Sequence, residues 1–290
     1  MIILGDYNTL TVDHEAEQGV YLKGDEQTGD ILLPRRYVPE GLSIGSSIEV
    51  FIYLDQEERI IATTETPLAT VGQFAYLEVA WINKYGAFLK WGLLKDLFCP
   101  FREQKQRMEQ GKSYIVYVKE DEASHRLMAT AKVEKYIASF SLQGEGQGAK
   151  LCHGDTCDCL VWQKTDLGFK VIIDNCYQGQ LYDNQIFQPL RTGDRLKAYI
   201  DHVRQDGKID VTLQPTGHRQ TLDFAEVLLR YLYENGGRCN LGDKAPAELI
   251  ADRFQVSKKT YKRAVGDLYR RRLINITDNG ISLVNAENVS

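Results

Sequence analysis

The 290-residue sequence predicts a mainly β chain with a C-terminal α/β part: three tandem five-stranded OB barrels followed by a winged helix-turn-helix. Three observations predict it. First, up to about residue 216 the chain reads as short apolar–polar alternating runs separated by turn residues, the pattern of antiparallel strands. Second, landmarks recur at near-constant offsets. Gly19, Gly86 and Gly168 are 67 and 82 residues apart, Gly45, Gly111 and Gly193 are 66 and 82 apart, and Thr63, Thr130 and Thr212 are 67 and 82 apart, which is an internal repeat. Third, beyond Gln214-Pro215-Thr216-Gly217 the apolar spacing changes from two to three and four, the period of a helix. The expected domains are residues 1–66, 70–138, 147–216 and 219–285, with short linkers at Thr64 to Thr70 and Ser139 to Gly148.

Each repeat opens on an alternating strand, clearest in Phe74-Ala75-Tyr76-Leu77-Glu78-Val79-Ala80-Trp81-Ile82. A glycine strand follows: Gln18-Gly19-Val20-Tyr21-Leu22, Lys84-Tyr85-Gly86-Ala87-Phe88-Leu89 or Leu167-Gly168-Phe169-Lys170-Val171. Bulky residues beside a strand glycine suggest a sharply coiled strand with rings on its outer face. The third strand is Ile31-Leu32-Leu33-Pro34, Leu97-Phe98-Cys99-Pro100 or Gly179-Gln180-Leu181-Tyr182. A polar connection comes next, and Arg102 to Met108 of the second repeat reads as a helical turn. A fourth strand follows a glycine, as in Tyr114-Ile115-Val116-Tyr117-Val118, and a fifth ends near the repeated threonine. Five strands in about 65–70 residues, coiled by glycine, suit the OB barrel, which binds oligonucleotides across its second and third strands.

The final module reads as three helices and a hairpin. Leu222, Ala225, Leu228, Leu229 and Leu232 mark a first helix ended by Asn235-Gly236-Gly237. A second helix starts near Ala247, with Pro246 in its first turn, and runs to Phe254. Ser257 is the expected N-cap of a third helix, whose apolar face is Tyr261, Ala264, Val265, Leu268 and Tyr269. Its other surface carries Lys258, Lys259, Lys262, Arg263, Arg270, Arg271 and Arg272 against Asp267 alone. Ile274-Asn275-Ile276 and Ile281-Ser282-Leu283 flank the turn Asp278-Asn279-Gly280, a hairpin signal. Such a basic helix suits a nucleic-acid groove, although a solvated surface or a dimer contact would show the same charges.

The net charge of −5 is unevenly distributed: −9 over residues 1–66, +2 over 67–146, −1 over 147–217 and +3 over 218–290. Phosphate binding depends on local basic charge, so the first repeat is a poor RNA surface while the second and fourth segments remain open to it. No apolar run approaches the roughly 20 residues a spanning helix needs, and Met1-Ile2-Ile3-Leu4-Gly5-Asp6 lacks a basic segment and a signal-like apolar core, so no export is expected. Six cysteines in that setting fit a reducing cytoplasm. No membrane partner is expected.

The second repeat carries a family resemblance. Its run Tyr85-Gly86-Ala87-Phe88, with Asp96-Leu97-Phe98, Gly111 and Arg126-Leu127, resembles the S1 domain, an RNA-binding OB repeat. In that family two aromatics flanking the glycine, a histidine ending the third strand and an aspartate–arginine pair near the fifth contact RNA. The resemblance puts the aromatics on Tyr85 and Phe88 and the arginine on Arg126, with Cys99 in the histidine position and Lys119 in the aspartate position. In the third repeat the aromatic positions hold Leu167 and Lys170, the histidine position Tyr182 and the basic position Lys208. The first keeps Tyr21, Asp55 and Arg59, but its charge assigns it an interaction or scaffold role with a protein partner. A base can stack on an exposed ring for roughly 1–3 kcal/mol. A ring two residues from a strand glycine can equally be core, so the burial of Phe88 and Tyr85 decides between packing and binding. Trp81, Trp91 and Trp162 are assigned to core or loop anchors.

Read whole, the chain resembles the conserved virulence factor B family of bacteria. Matching stretches include Gly29-Asp30-Ile31-Leu32-Leu33-Pro34, Gly72-Gln73-Phe74-Ala75-Tyr76-Leu77, Phe98-Cys99-Pro100-Phe101-Arg102-Glu103 and, most specific, Ser257-Lys258-Lys259-Thr260-Tyr261-Lys262-Arg263-Ala264-Val265-Gly266. The resemblance implies three S1-like domains plus a winged helix, RNA binding and post-transcriptional influence on gene expression.

Other chemistry is poorly supported. The cluster Cys152-His153-Gly154-Asp155-Thr156-Cys157-Asp158-Cys159 holds zinc-type ligands but lacks paired C-x2-C spacing. His14 lies in the polar run Asp13-His14-Glu15, which reads as a turn. There is no recognisable triad and no phosphate loop. The expectation is a cytoplasmic, non-enzymatic RNA-binding regulator without a cofactor or metal. The second barrel supplies stacking, the third extends the groove through Lys170, Tyr182 and Lys208, and the winged helix supplies Lys258, Lys259, Lys262, Arg263 and Arg270. The alternatives are a DNA-binding transcription regulator, in which the winged helix takes duplex nucleic acid, and a protein-interaction scaffold.

Overall fold

Three barrels close around the three repeated glycines. The computed structural model describes residues 1–138, 151–186, 188–204, 206–214, 218–242, 244–277 and 280–284, with side chains from 224 in the first helix. Barrel 1 is β1 (Tyr7–Ala16), β2 (Gly19–Leu22), β3 (Ile31–Pro34), β4 (Ser47–Leu54) and β5 (Ile60–Thr63). Barrel 2 is β6 (Phe74–Ile82), β7 (Gly86–Leu89), β8 (Leu97–Pro100), β9 (Ser113–Glu120) and β10 (Leu127–Thr130). Barrel 3 is β11 (Thr156–Thr165), β12 (Gly168–Ile173), β13 (Tyr177–Tyr182), β14 (Arg195–Val203) and β15 (Ile209–Thr212). Each ring runs first, second, third, fifth, fourth, and only the third and fifth strands pair in parallel.

The glycines are where the second strand meets the end of the third. Gly19 is opposite Pro34, Gly86 opposite Pro100 and Gly168 opposite Tyr182. A Cβ at any of the three would lie well under 3.0 Å from a carbonyl oxygen, that of Leu33, Cys99 or Leu181. The first strand of each barrel carries a second shared device. Its register slips between Val12 and His14, between Val79 and Trp81, and between Val161 and Gln163. A bulge there bends the strand, so one long segment can pair first with the fourth strand and then with the second. His14 accordingly lies in β1 and not in a turn.

Residues Met1–Tyr136 and Ile137–Ser290 form two compact units. In the first unit, barrels 1 and 2 share apolar packing. Phe51 and Tyr53 of β4 are buried in one cluster with Val79, Leu89 and Trp91 of barrel 2. The Phe51 and Trp91 rings meet edge to face at 5.8 Å. Backbone bonds from Val71 N to Gly5 O (2.8 Å) and from Leu68 N to Trp91 O (2.7 Å) reinforce the contact. The helical turn expected over Arg102 to Met108 is a single 3-10 turn, Phe101–Glu103. Beyond it the buried Gln104 amide donates to Cys99 O and accepts from Met108 N, so the side chain does what a longer helix would have done.

In the second unit, barrel 3 precedes α1 (His218–Glu234), β16 (Arg238–Cys239), α2 (Ala247–Phe254), α3 (Lys258–Arg270), β17 (Ile274–Thr277) and β18 (Gly280–Leu283), with sheet order β16-β18-β17. Ser257 caps α3 by accepting from Thr260 N. Pro246 stands just before α2, at its N-cap. Tyr261, Ala264, Val265 and Leu268 are buried, but Tyr269 is exposed. At 100° per residue Tyr269 lies about a right angle from the middle of that face. The two-residue strand β16 has no sequence signal at all. The expected linker at Ser139 to Gly148, the residues Pro215 to Gly217, the Leu222 side chain and the turn residues Asp278 and Asn279 lie outside the described residues. No helix among the described residues is long and apolar enough to cross a membrane.

Gly86→Ala is expected to destabilise the first unit by about 2–3 kcal/mol, because the backbone carbonyl of Cys99 must move. Urea unfolding followed by tryptophan fluorescence checks this, with Gly111→Ala isolating the cost of positive φ, since that glycine has a φ of 78° and open space around its missing Cβ.

Candidate nucleic-acid interface

Three neighbouring strands of barrel 2 place three rings in a row. Trp81 on β6 pairs with Phe88 on β7, and Phe88 pairs with Phe98 on β8. The Trp81 and Phe88 rings stack at 3.7 Å with planes 4° apart, and Phe88 and Phe98 lie 5.0 Å apart, tilted. Phe88 is half-buried on the outer surface, and Tyr85, just before β7, is 62% exposed. Asn83 holds that hairpin, its Oδ1 accepting from the amides of Tyr85 and Gly86. Lys84 Nζ stands 5.0 Å from the Tyr85 ring centre.

Trp81 departs from the expected core or loop anchor. Trp91 and Trp162 are buried, but Trp81 is 44% exposed and donates from Nε1 to Asp96 Oδ2 at 3.0 Å. The bulge is the cause. Leu77 and Val79 point inward, and simple alternation would send Trp81 after them, but the extra residue Ala80 reverses the phase. The same slip in barrel 1 puts His14 on the surface, stacked on Tyr21 at 4.7 Å.

The charged groups also differ from expectation. Lys119 does not occupy the aspartate position. Asp55 follows β4 and its amide bonds to Arg59 O, and Asp121 follows β9 with its amide bonded to Arg126 O. Asp121 is therefore the counterpart of Asp55, hidden in sequence by one extra hairpin residue, while Lys119 turns toward Glu103 at 3.6 Å. A hydrogen bond from Ser124, aided by Arg102 at 3.4 Å, holds the Asp121 carboxyl below its usual value. Arg126 is not paired with Asp121 but with Glu58 of barrel 1. Cys99, in the family's histidine position, points into the barrel core, and burial pushes its thiol up to about 12.

Tyr85, Phe88, Phe98 and Phe101 line a cleft of about 640 Å³ whose far side is Tyr53, Leu54 and Glu58 of barrel 1. Lys95, Arg102 and Arg126 face it, as do Glu58, Asp96 and Asp121. The cleft is thus aromatic with balanced charge, and the cations beside the rings are mostly paired.

In barrel 3 the expected residues are not gathered into one site. Lys170 Nζ lies 5.6 Å from the Trp162 ring centre, and Lys208 is ion-paired to Asp206. Lys208 precedes Ile209, which pairs with Gly179, three residues along β13 from Tyr182. The cation that reaches Tyr182 is Arg204, hydrogen-bonded to its hydroxyl and doubly to Asp210. Arg204 sits in the hairpin position that Asp55 and Asp121 fill in the other barrels, so the acid–base order is inverted there, and composition alone could not reveal it.

On α3, Lys259, Lys262, Arg263 and Arg270 are exposed and Lys258 is half-buried. Arg270 and Arg271 share Asp267, at 3.9 and 3.4 Å. Lys259, Lys262 and Arg263 have no acidic partner among the described residues. The cysteine cluster is dispersed: Cys157 and Cys159 are both buried in the barrel 3 core with sulfurs 3.8 Å apart, while Cys152 is exposed.

Residues 4–65 match the family model of the S1 domain, and residues 226–283 match that of the CvfB-like winged helix domain. The chain is 28% identical over 273 residues to the uncharacterized protein YitL of Bacillus subtilis, covering 92% of this chain and 89% of that one. It is 21% identical over 245 residues to conserved virulence factor B of Staphylococcus aureus strain USA300, covering 83% and 81%. A solved multidomain protein with nucleic acid binding domains from Streptococcus pneumoniae TIGR4 aligns with 97% of this chain and 98% of its own, at 20% identity and a TM-score of 0.42. The S1 match falls on barrel 1, whereas the aromatic row stands on barrel 2.

Trp81→Phe is expected to remove most of the tryptophan emission that acrylamide can quench, because Trp91 and Trp162 are only 2% and 8% exposed. Steady-state quenching of the variant against the parent protein checks this.

Proposed function

With its S1 domain, its CvfB-like winged helix and its likeness to the conserved virulence factor B proteins as the premise, we propose that this chain is a non-enzymatic, cytoplasmic RNA-binding regulator acting after transcription. The observation that carries the proposal is the row Trp81–Phe88–Phe98 with Tyr85 beside it. The exposed rings of Trp81 and Tyr85, with the half-buried Phe88 and Phe98 across the first three strands of a small barrel, suit the bases of a single strand, which every duplex hides. Arg126 and Arg102 border the row, each answered by a carboxylate, so the row offers stacking more than charge.

The winged helix supplies the second contact. Lys259, Lys262 and Arg263 project from a helix already capped and packed, so they cost little further ordering when they meet phosphate. Barrel 3 contributes Lys170 and Tyr182. The self-paired Asp55 and Arg59 leave barrel 1 better suited to buttressing barrel 2 and meeting a protein partner than to gripping a polyanion.

Titration of the full chain with a single-stranded RNA and with a duplex DNA of equal length, each at two salt concentrations, tests the reading. Phe88→Ala is expected to weaken RNA binding about tenfold, in line with roughly 1–3 kcal/mol per stacked base. Lys262→Glu is expected to weaken binding and to flatten the salt dependence by about one phosphate contact. Tighter binding to the duplex would favour a DNA-binding regulator, and no binding to either at low salt would favour a scaffold.

A further inference from the structure

We propose that the cleft between barrels 1 and 2 is a pocket for one unstacked nucleobase, and that Lys95 reads that base. The inference rests on the RNA reading in one respect, that a strand lying on the aromatic row delivers the base.

The cleft has the size of a small-ligand site. Its volume of about 640 Å³ falls within the roughly 300–1,000 Å³ of such pockets. Its walls are flat and apolar, formed by Phe88, Phe98 and Phe101. Its charges do not favour a polyanion, since Arg126 is answered by Glu58 and Arg102 by Asp121. A planar, uncharged heterocycle fits that setting better than a run of phosphates.

Lys95 supplies the polar feature that such a heterocycle would engage. Its ammonium is half-buried and has no carboxylate within ion-pairing distance among the described residues. Nζ donates to one backbone acceptor, Asp55 O, at 2.6 Å. An ammonium carries three donors, so two hydrogens remain for an acceptor inside the cleft. Burial also lowers the Lys95 pKa, the direction expected of an ammonium taken partly out of water. A ring nitrogen or carbonyl oxygen on a base edge is an acceptor of the right size, and the same bond would discriminate among bases. Since a base carries no charge, reading it releases no counterion.

The test uses the full chain and two kinds of probe. Each of the four ribonucleosides is titrated into the full chain carrying Trp81→Phe and Trp162→Phe, so that the emission followed is that of Trp91, whose buried indole lines the cleft. A short single-stranded RNA is then compared with versions carrying one abasic site at each position in turn. The expected results are saturable quenching by at least one nucleoside and one RNA position where loss of the base costs about tenfold, the size of a hydrogen bond to a charged group. Lys95→Met, which keeps the apolar stem, is expected to abolish both effects and leave the salt dependence of RNA binding unchanged. The abasic series on the unaltered protein decides the matter even if Lys95→Met folds poorly, because equal losses at every position overturn the pocket. So does a Lys95→Met protein that behaves like the parent. RNA binding lost in Phe88→Ala but untouched by Lys95→Met, with the abasic losses equal at every position, would remove the pocket and keep the RNA reading. Quenching by nucleosides without RNA binding would do the reverse.

Discussion

At three points in this chain a carbonyl oxygen occupies the space where a side chain would begin. Leu33, Cys99 and Leu181 press their carbonyls against Gly19, Gly86 and Gly168, and the start of the second strand lies tight against the end of the third because nothing separates them. The rest of each barrel follows from that contact. With the two strands closed up, the first strand must bend to reach both neighbours, and the bulge supplies the bend. The bulge in turn decides which side chains leave the interior. The aromatic row of barrel 2 is thus a downstream result of backbone crowding, and the wing repeats the device, with Gly280 pressed on Cys239 O.

The repeats and the third helix of the last module were legible because glycine offsets and helical periodicity survive divergence. The burial of Tyr261, Ala264, Val265 and Leu268 follows from spacing alone. Trp81 was not legible, because a one-residue bulge leaves no mark in an alternating pattern and yet reverses every residue after it. Asp121 was missed for a related reason. Position within a hairpin depends on backbone pairing, and one inserted residue shifts the count. The packing of Phe51 and Tyr53 under barrel 2 was hidden because an inward residue of one barrel and a contact residue of the next look alike in sequence.

Charge is settled pair by pair in this protein. In the acidic first repeat Glu58 is spent on Arg126 and Asp55 on Arg59. Bonds from the Arg59 backbone and side chain hold Asp55 ionised in spite of its burial. The surplus of positive charge gathers instead on α3, where Lys259, Lys262 and Arg263 outnumber their acidic neighbours. A division of labour follows, in which barrel 2 offers π-surface at little electrostatic gain and the winged helix offers charge with little π-surface.

The apolar seam formed by Phe51, Tyr53 and Trp91 bears on how such a chain can evolve. Tandem copies are usually pictured as beads that can be deleted, shuffled or lent to other genes. A seam of fully buried rings forbids that for the first two, since either bead excised alone would carry a sticky scar and aggregate. The first pair is therefore inherited as a single article, and variation in copy number has to enter elsewhere along the string.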